Sequence, residues 1–285
     1  VVQKGVLNFK DNKPYDFKGT FDFKNFNLNQ WEDKFGVVDA DLYISANNIL
    51  SESFDFSYNL TLSKLIIGQT TLNNLSFDGD YEFDTFTSDI KINNNLISAK
   101  SAISFSWPED QKKYQFDLNL KHLNLHSLSQ QLGYGKAVFS GDLTVFLVGG
   151  SFDQIQGNLL FKNLSFENVN ETFRYNDFVI ETKLLDGFRS LKTINSDLFN
   201  FDLEGKFLLS QFPYLLQNAI AEVYSFIPRK KVKSGQSLSY DLSIPSGNLN
   251  ALFPDLSILD SALFRGVLSA DEKVSKVAIR IPKIT

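Results

Sequence analysis

The sequence predicts an all-β fold in which an elongated, curved sheet is folded into a trough and carries one short amphipathic helix. Short runs of alternating apolar and polar residues recur through most of the 285 residues, which is the period of a strand with one buried face. The phrase glycine, any residue, apolar, any residue, apolar begins at ten of the 16 glycines. Phe (28) and Tyr (10) are abundant and Pro (7) is scarce, a composition typical of strands.

The glycine phrase marks the beginnings of predicted strands, because glycine permits a turn or bulge before the alternation starts. Asn, Asp, Ser and Gly cluster between the alternating runs, which predicts turns at those places. The ten copies of the phrase begin at Gly5, Gly19, Gly36, Gly79, Gly135, Gly141, Gly157, Gly205, Gly247 and Gly266. Their distribution predicts a single elongated β-repeat segment over residues 1–285.

A longer apolar phrase recurs and predicts how the sheet bends. Its copies begin at Phe21, Leu60, Leu118 and Leu159. Within each copy the apolar residues are separated by steps of two, then three, then two, and a step of three moves the next side chain to the other face of a flat strand. We therefore expect bulges at residues 24–25, 121–122 and 162–163 that return the apolar side chains to one face. A sheet bent in this way curves into a trough or closes into a barrel.

One segment, residues 211–226, departs from the strand pattern and predicts a helix. Its apolar residues form one helical stripe, which consists of Leu215, Leu216, Ala219, Ile220 and Val223. Ser210 is a candidate N-cap, and Pro228 prevents the helix from continuing.

Composition excludes several classes of function. The chain has no cysteine, so disulfides, zinc–thiolate sites and thiol nucleophiles are impossible. The net charge of the chain is −5, whereas nucleic-acid-binding domains carry an excess of basic residues. No apolar run reaches the ~18 residues of a transmembrane helix. Because position 1 is not Met, we expect a fragment of a longer chain, with any membrane anchor in the missing sequence.

Titratable residues give little support to catalysis or metal binding. His122 and His126, four residues apart, have the spacing of a helical zinc site, but they fall within a strand pattern. The alternating carboxylates between positions 78 and 84 resemble paired acids, yet Phe and Tyr between them indicate the solvated face of a strand. These carboxylates are Asp78, Asp80, Glu82 and Asp84. We expect no enzyme activity, no metal and no cofactor.

A basic run after the predicted helix has two interpretations. Arg229, Lys230, Lys231 and Lys233 follow the amphipathic stripe, an arrangement that fits either contact with anionic lipid headgroups or a solvated loop.

Residues of about 116–270 carry further phrases in a recognisable order. Ser196-Asp197-Leu198 precedes an alternating run that ends at Gly205, and Leu252-Phe253-Pro254-Asp255-Leu256 follows. In order and spacing this stretch resembles the AsmA-like superfamily, and most closely the C-terminal region of the TamB family. Residues 1–115 share only the alternation.

The resemblance implies a long sheet folded lengthwise into a trough with an apolar floor. It also implies location in the periplasm of a Gram-negative bacterium, anchored to the inner membrane through missing sequence. The implied role is to carry phospholipid acyl chains between the inner and outer membranes, supporting outer-membrane biogenesis with an Omp85-type barrel partner. The alternative is an assembly module that engages such a barrel, or a nascent outer-membrane protein, by β-augmentation. A third hypothesis, independent of the resemblance, is a surface β-structure that binds or cleaves carbohydrate.

The repeated phrases predict which side chains line the groove. They are Phe21, Phe23, Phe26, Leu28, Leu118, Leu120, Leu123, Leu125, Leu143, Val145, Leu159, Phe161, Leu164, Phe166, Phe201, Leu203, Phe207 and Leu209. The same periodicity also fits the sealed core of a sandwich or closed barrel.

Overall fold

Antiparallel strands dominate the computed structural model, which describes residues 2–30, 34–68, 70–108, 111–125, 137–169, 171–223, 226–245, 261–271 and 276–280. The strands are β1 (Val2–Lys10), β2 (Lys13–Asn27), β3 (Phe35–Asn47), β4 (Asp55–Ile67), β5 (Thr70–Leu72), β6 (Leu75–Glu82), β7 (Thr85–Asn93), β8 (Ile97–Ser106), β9 (Lys113–Asn124), β10 (Val138–Val148), β11 (Gln156–Glu167), β12 (Thr172–Arg174), β13 (Phe178–Leu185), β14 (Phe188–Ile194), β15 (Asn200–Lys206), β16 (Ser237–Ser243), β17 (Leu263–Ser269) and β18 (Lys276–Arg280). One α-helix, α1 (Phe212–Val223), is described, with short 3₁₀ helices at Phe152–Gln154 and Leu209–Gln211.

The predicted fold class, an all-β chain with an open curved sheet and one short helix, is confirmed. The helix lies inside the predicted 211–226 segment. Ser210 does not act as its predicted N-cap. Its backbone N–H and its hydroxyl both donate to the carboxylate of Asp153, each at 2.8 Å.

The chain divides into two compact units. Unit 1 comprises Val1–Thr144 with Glu167–Glu171, and unit 2 comprises Val145–Phe166 with Thr172–Thr285.

Unit 1 contains an antiparallel meander in which successive strands pair in chain order. β1 to β4 pair in turn, β4 pairs with both the short β5 and β6, and β6 to β9 continue the order. Two-residue turns with positive φ at both positions join β1 to β2 at Asp11 and Asn12, and β6 to β7 at Phe83 and Asp84. This turn geometry matches the natural twist of a hairpin, so each strand folds back onto its predecessor.

The buried core of unit 1 lies on one face of this sheet. Val38, Ala40, Leu62 and Leu75 form its buried cluster, and the half-buried side chains that pack against it include Phe23, Phe26 and Leu28.

Unit 2 is a second antiparallel array, in which β11 pairs with β13 and the strands from β13 to β18 pair in order. Its buried cluster combines sheet residues with two residues of α1. The members are Leu203, Phe207, Leu215, Ala219, Leu238 and Leu268. The helix therefore covers part of the apolar face of β15, β16 and β17.

The repeated glycine phrase meets two different structural needs. At Gly79 a Cβ atom would lie 2.5 Å from the ring of Tyr58, which occupies the space above the glycine. At Gly205 the backbone has φ +155°, and a Cβ would overlap the carbonyl oxygen of Ser237 on the next strand. At Gly79 a Cβ would also lie 2.5 Å from the carbonyl oxygen of Thr87 on the next strand. Both copies therefore allow close approach of a neighbouring backbone, and Gly79 in addition makes room for a ring.

Candidate functional site

The candidate site in unit 1 is the apolar face of its sheet, where side chains line up in rows across the strands. The pairing registers place one residue of each strand opposite the next, so that a row crosses the sheet. One row consists of Phe21, Leu42, Leu60, Phe77, Ile90, Ser101 and Leu118. A second row consists of Phe23, Ala40, Leu62, Leu75, Ile92, Ala99 and Leu120. Predicted lining residues of β2 and β9 thus lie in the same rows, connected by residues of the strands between them.

The predicted bulges keep these rows on one face. At residues 24–25 the register between β2 and β3 shifts between Phe23 and Phe26, and Asn25 adopts φ +48° while its N–H donates to Asp39 Oδ1 at 2.6 Å. The rings of Phe23 and Phe26 consequently lie on the same side, 5.5 Å apart.

The other two phrases show the same device. Lys121 is the unpaired residue where the register between β8 and β9 shifts. Asn163 has φ +52°, and its N–H donates to Asp177 Oδ1 at 3.1 Å. Lys121 thus supplies the extra residue that a bulge requires, while Asn163 shares the left-handed conformation and the aspartate partner of Asn25.

A third row is aromatic and runs along the same face from β4 to β9. Phe56 stacks on Tyr81 with ring centroids 5.7 Å apart. Further along, Phe86 stacks on Phe105 at 6.4 Å, and Phe105 meets the edge of Tyr114 at 5.9 Å. Each such pair stabilises the fold by about 0.5–1.5 kcal/mol beyond the effect of its buried area. These contacts join neighbouring strands within the sheet and do not depend on packing against a second layer.

The apolar face of unit 1 is partly open. Phe21, Phe77, Ile90 and Leu118 are half-buried, although they lie at the centre of the face. Within the described residues, the strands of unit 1 contact chiefly the strands beside them. The face therefore presents a continuous apolar surface with room for contact by another hydrocarbon.

The apolar face of unit 2 is partly closed by α1. Leu215 and Ala219 of the helix pack over Leu203, which is 9% exposed, and Phe207, which is 4% exposed. Phe201 and Leu209 lie at the margin of this cluster and are half-buried. At this place the predicted lining residues are core residues beneath a helix.

The structure describes all eighteen predicted lining residues, and they divide by burial. Fourteen are half-buried: Phe21, Phe23, Phe26, Leu28, Leu118, Leu120, Leu123, Leu125, Leu143, Val145, Leu159, Phe161, Phe201 and Leu209. Four are buried: Leu164, Phe166, Leu203 and Phe207. Sequence reasoning missed the rows contributed by β3, β4 and β6 to β8. Their alternation was visible, but of these strands only β4 contains the longer repeated phrase.

Arg189 is a second residue that sequence reasoning missed. It is 0% exposed and lies on β14 opposite Gly205. Its Nη1 donates to the carbonyl of Ile155 at 2.8 Å and to Thr182 Oγ1 at 2.7 Å, and its Nη2 donates to the carbonyl of Asp153 at 2.8 Å. Burial lowers the pKa of the guanidinium, and the negative charge of Asp153 opposes that shift.

The Arg189 contacts connect the sheet to the beginning of α1. Arg189 holds the backbone at Asp153, and the carboxylate of Asp153 accepts two hydrogen bonds from Ser210. This network fixes the 3₁₀ turn before the helix, so it orients the helix that covers the apolar face.

Tyr175 is a buried phenol whose ionisation is suppressed. It is 7% exposed, and burial, with a smaller contribution from the charge of Asp197, raises its pKa to about 12. The folded state therefore holds this proton more tightly than the unfolded chain, whose tyrosine pKa is about 10. The resulting stabilisation is complete below pH 10 and is lost as the pH rises towards 12.

Replacing Tyr175 by Phe is expected to remove that pH dependence. The free energy of unfolding of the wild type should fall more steeply than that of Tyr175→Phe between pH 10 and pH 12, because in this range the unfolded wild-type chain loses the Tyr175 proton while the folded state keeps it. Urea unfolding at several pH values measures this difference. Tyr214→Phe, which alters an exposed phenol, is the control, and equal slopes for wild type and Tyr175→Phe would contradict the expectation.

Those titratable residues singled out in the sequence that the structure describes are not brought together as a cluster. His122 Nε2 lies 3.1 Å from the carbonyl oxygen of Asn94. His126 falls outside the described residues, as do Gly247 and the phrase at 252–256. Asp78 is half-buried and accepts a hydrogen bond from Asn59, while Asp80 and Glu82 are exposed. In the described ranges, no group of three or more His, Cys, Asp or Glu side chains is placed to hold a metal ion.

Comparisons with known proteins do not assign this chain to a family. The chain matches no family model, no curated protein and no solved structure. Within the described ranges, no helix has the length and apolar character needed to cross a membrane.

Proposed function

We propose that the chain is a periplasmic segment of a TamB-like protein whose apolar face carries phospholipid acyl chains between the inner and outer membranes. The observation that carries this proposal is the set of aligned apolar rows across unit 1. The first and third rows are half-buried, while Ala40, Leu62, Leu75 and Ala99 of the second row are buried. In this role the segment supports outer-membrane biogenesis together with an Omp85-type barrel partner.

The physical basis is the removal of acyl methylenes from water. Each methylene that lies on an apolar surface gains about 0.8 kcal/mol. Neighbouring strands lie about 4.8 Å apart, so an acyl chain that moves along a row, from strand to strand, meets a similar surface at every step. Equivalent sites in sequence allow movement without a deep energy minimum, and the driving force comes from outside this segment.

One pair of polar groups beneath this surface is satisfied within the protein, whereas the buried hydroxyl of Ser101 in the first row has no hydrogen-bond partner among the described residues. Ser88 is 5% exposed, and its hydroxyl lies 2.8 Å from the hydroxyl of Tyr58, so both are paired within the protein. A guest that lies over them does not have to satisfy them, which keeps the cost of its desolvation low.

Lipid retention tests the proposal directly. The 285-residue chain is purified without detergent, its lipids are measured by mass spectrometry, and it is titrated with a phospholipid carrying a fluorescent label on one acyl chain. We expect retained phospholipid and saturable binding. Leu118→Arg, at the centre of the apolar face, should weaken binding at least about ten-fold, because that loss equals about 1.4 kcal/mol, or fewer than two methylene contacts.

The matched control is Gln115→Arg, which adds the same charge to an exposed position of β9 and should leave binding unchanged. Circular dichroism establishes that both variants remain folded. A folded wild type that retains no phospholipid and binds no labelled lipid would overturn the conduit. In that case binding to a barrel partner or a nascent strand by β-augmentation becomes the better account.

A further inference from the structure

A second surface, separate from the apolar face, is formed by the outer side of α1 and the segment that follows it. Leu216 is 42% exposed, Ile220 is 41% exposed and Phe226 is 81% exposed, all unusual for large apolar side chains. The basic helix surface is defined here as these three residues together with Arg229, Lys230, Lys231 and Lys233, which are all exposed.

Hydrogen bonds hold the basic segment against the helix. The side-chain amide of Gln217 donates to the carbonyl of Pro228 at 2.6 Å. Asn218 donates to the carbonyl of Lys230 at 2.8 Å and accepts from its N–H at 2.7 Å. Gln217 lies about 60° around the helix from Ile220 and about 100° from Leu216, so the beginning of the basic segment borders the exposed apolar stripe on its Ile220 side.

The far end of the segment is fixed as well. The N–H of Lys233 donates to Gln211 Oε1 at 2.8 Å, and the same oxygen accepts from the buried side chain of Gln236 at 2.6 Å. Val232 packs against the buried cluster of unit 2. The backbone between these points is therefore anchored, while the cationic side chains remain exposed.

The charge of this surface is opposite to that of the chain as a whole. Residues 226–240 contain four basic side chains and no acidic one, whereas the whole chain has a net charge of −5. A local positive charge on an acidic protein attracts an anionic partner. Exposed leucine, isoleucine and phenylalanine beside that charge match the boundary between headgroups and acyl chains better than a purely polar partner.

We propose that the basic helix surface docks on an anionic phospholipid bilayer, with Leu216, Ile220 and Phe226 entering the interface and the basic side chains contacting the headgroups. This docking is independent of the acyl-chain conduit, because it uses the outer side of α1 and recognises a membrane surface. It would hold unit 2 at a bilayer.

Vesicle co-sedimentation of the full chain tests the docking. We expect binding to vesicles of phosphatidylcholine and phosphatidylglycerol in equal amounts, and far weaker binding to phosphatidylcholine alone. Each basic side chain strengthens such binding about five-fold, so replacing Arg229, Lys230, Lys231 and Lys233 by Gln should weaken it at least about a hundred-fold. Salt near 1 M, where the Debye length is about 3 Å, should also weaken it.

Two controls test whether vesicle binding depends on this particular surface or only on the total charge and exposed apolar area of the chain. Replacing the four exposed residues Lys4, Lys18, Lys91 and Lys100 by Gln removes the same charge and should change vesicle binding little. Leu216→Ser with Ile220→Ser should weaken binding at least about ten-fold, whereas Leu50→Ser with Leu185→Ser, also exposed, should not.

Several results would overturn the proposal. They are equal binding to both vesicle types, wild-type binding by the four-glutamine variant of the basic helix surface, or binding to polyglutamate without binding to vesicles. The last result would assign the surface to an acidic protein. Loss of lipid retention in Leu118→Arg with vesicle binding intact leaves the docking supported, so the two proposals fail separately.

Discussion

Gly205→Ala lowers the free energy of unfolding of unit 2 by about 3–5 kcal/mol, in our expectation. Gly205 has φ +155°, and a Cβ there meets the carbonyl oxygen of Ser237 and lies 2.6 Å from the Cα of Leu238. Both atoms belong to the backbone of β16, so no side chain can move aside. A strained backbone conformation costs of order 1–3 kcal/mol, and overpacking adds about 1–3 kcal/mol.

The measurement is urea unfolding followed by circular dichroism, with amide hydrogen exchange to locate the loss. Exchange should accelerate first in β15 and β16, where the strands are forced apart. Gly187→Ala is the control, since Gly187 also has a positive φ, +78°, but nothing lies within 4 Å of its Cβ position. It should cost only about 1–2 kcal/mol. Equal losses at the two sites would show that close approach of β16 is not what requires glycine at 205.

Arg189→Ala should destabilise unit 2 by about 3 kcal/mol or more. The change leaves the carbonyls of Ile155 and Asp153 and the hydroxyl of Thr182 without the guanidinium that donates to them. Each buried group that loses its partner costs about 1–3 kcal/mol, and a cavity adds to this. Removing a buried charge relieves part of the desolvation cost that lowers the pKa of Arg189, which places the net effect near the lower end.

Hydrogen exchange distinguishes this network from simple loss of packing. Because Asp153 joins Arg189 to Ser210, amides of the 3₁₀ turn at Leu209–Gln211 and of α1 should exchange faster in Arg189→Ala. Arg174→Ala removes an exposed arginine from β12 and should change stability by less than about 0.5 kcal/mol. Unchanged protection of α1 in Arg189→Ala would refute the proposed link between the sheet and the helix.

Features that depend on neighbouring residues were predictable from sequence. Alternation identified the strands and their apolar faces, and the step of three residues after Phe23 identified the bulge at residues 24–25. The apolar stripe with a period of 3.6 residues identified α1. Each of these signals is local, because period and turn chemistry act over only a few residues.

Features that depend on distant pairing were not predictable in the same way. The placement of α1 over Leu203 and Phe207 follows from the register of β15 with β16, which no local pattern specifies. The direction of Arg189 was predictable, because it stands two residues before Leu191 on β14. Residues two apart on a strand point to the same face, which here is the apolar one. What the sequence did not contain was the set of distant carbonyls that makes its burial possible.

Because the strands pair in chain order, the unit 1 meander can form hairpin by hairpin and can change in length by whole hairpins. Each strand of the unit 1 meander finds its partner close by in sequence, so most contacts are short-range, a topology that favours rapid assembly. Hairpins can add one after another as the polypeptide emerges, each using the previous edge as its template. Insertion or deletion of one complete hairpin would change the span by about 10 Å while preserving every other strand pairing. Length is thus a property that evolution, or an engineer, can adjust in whole modules.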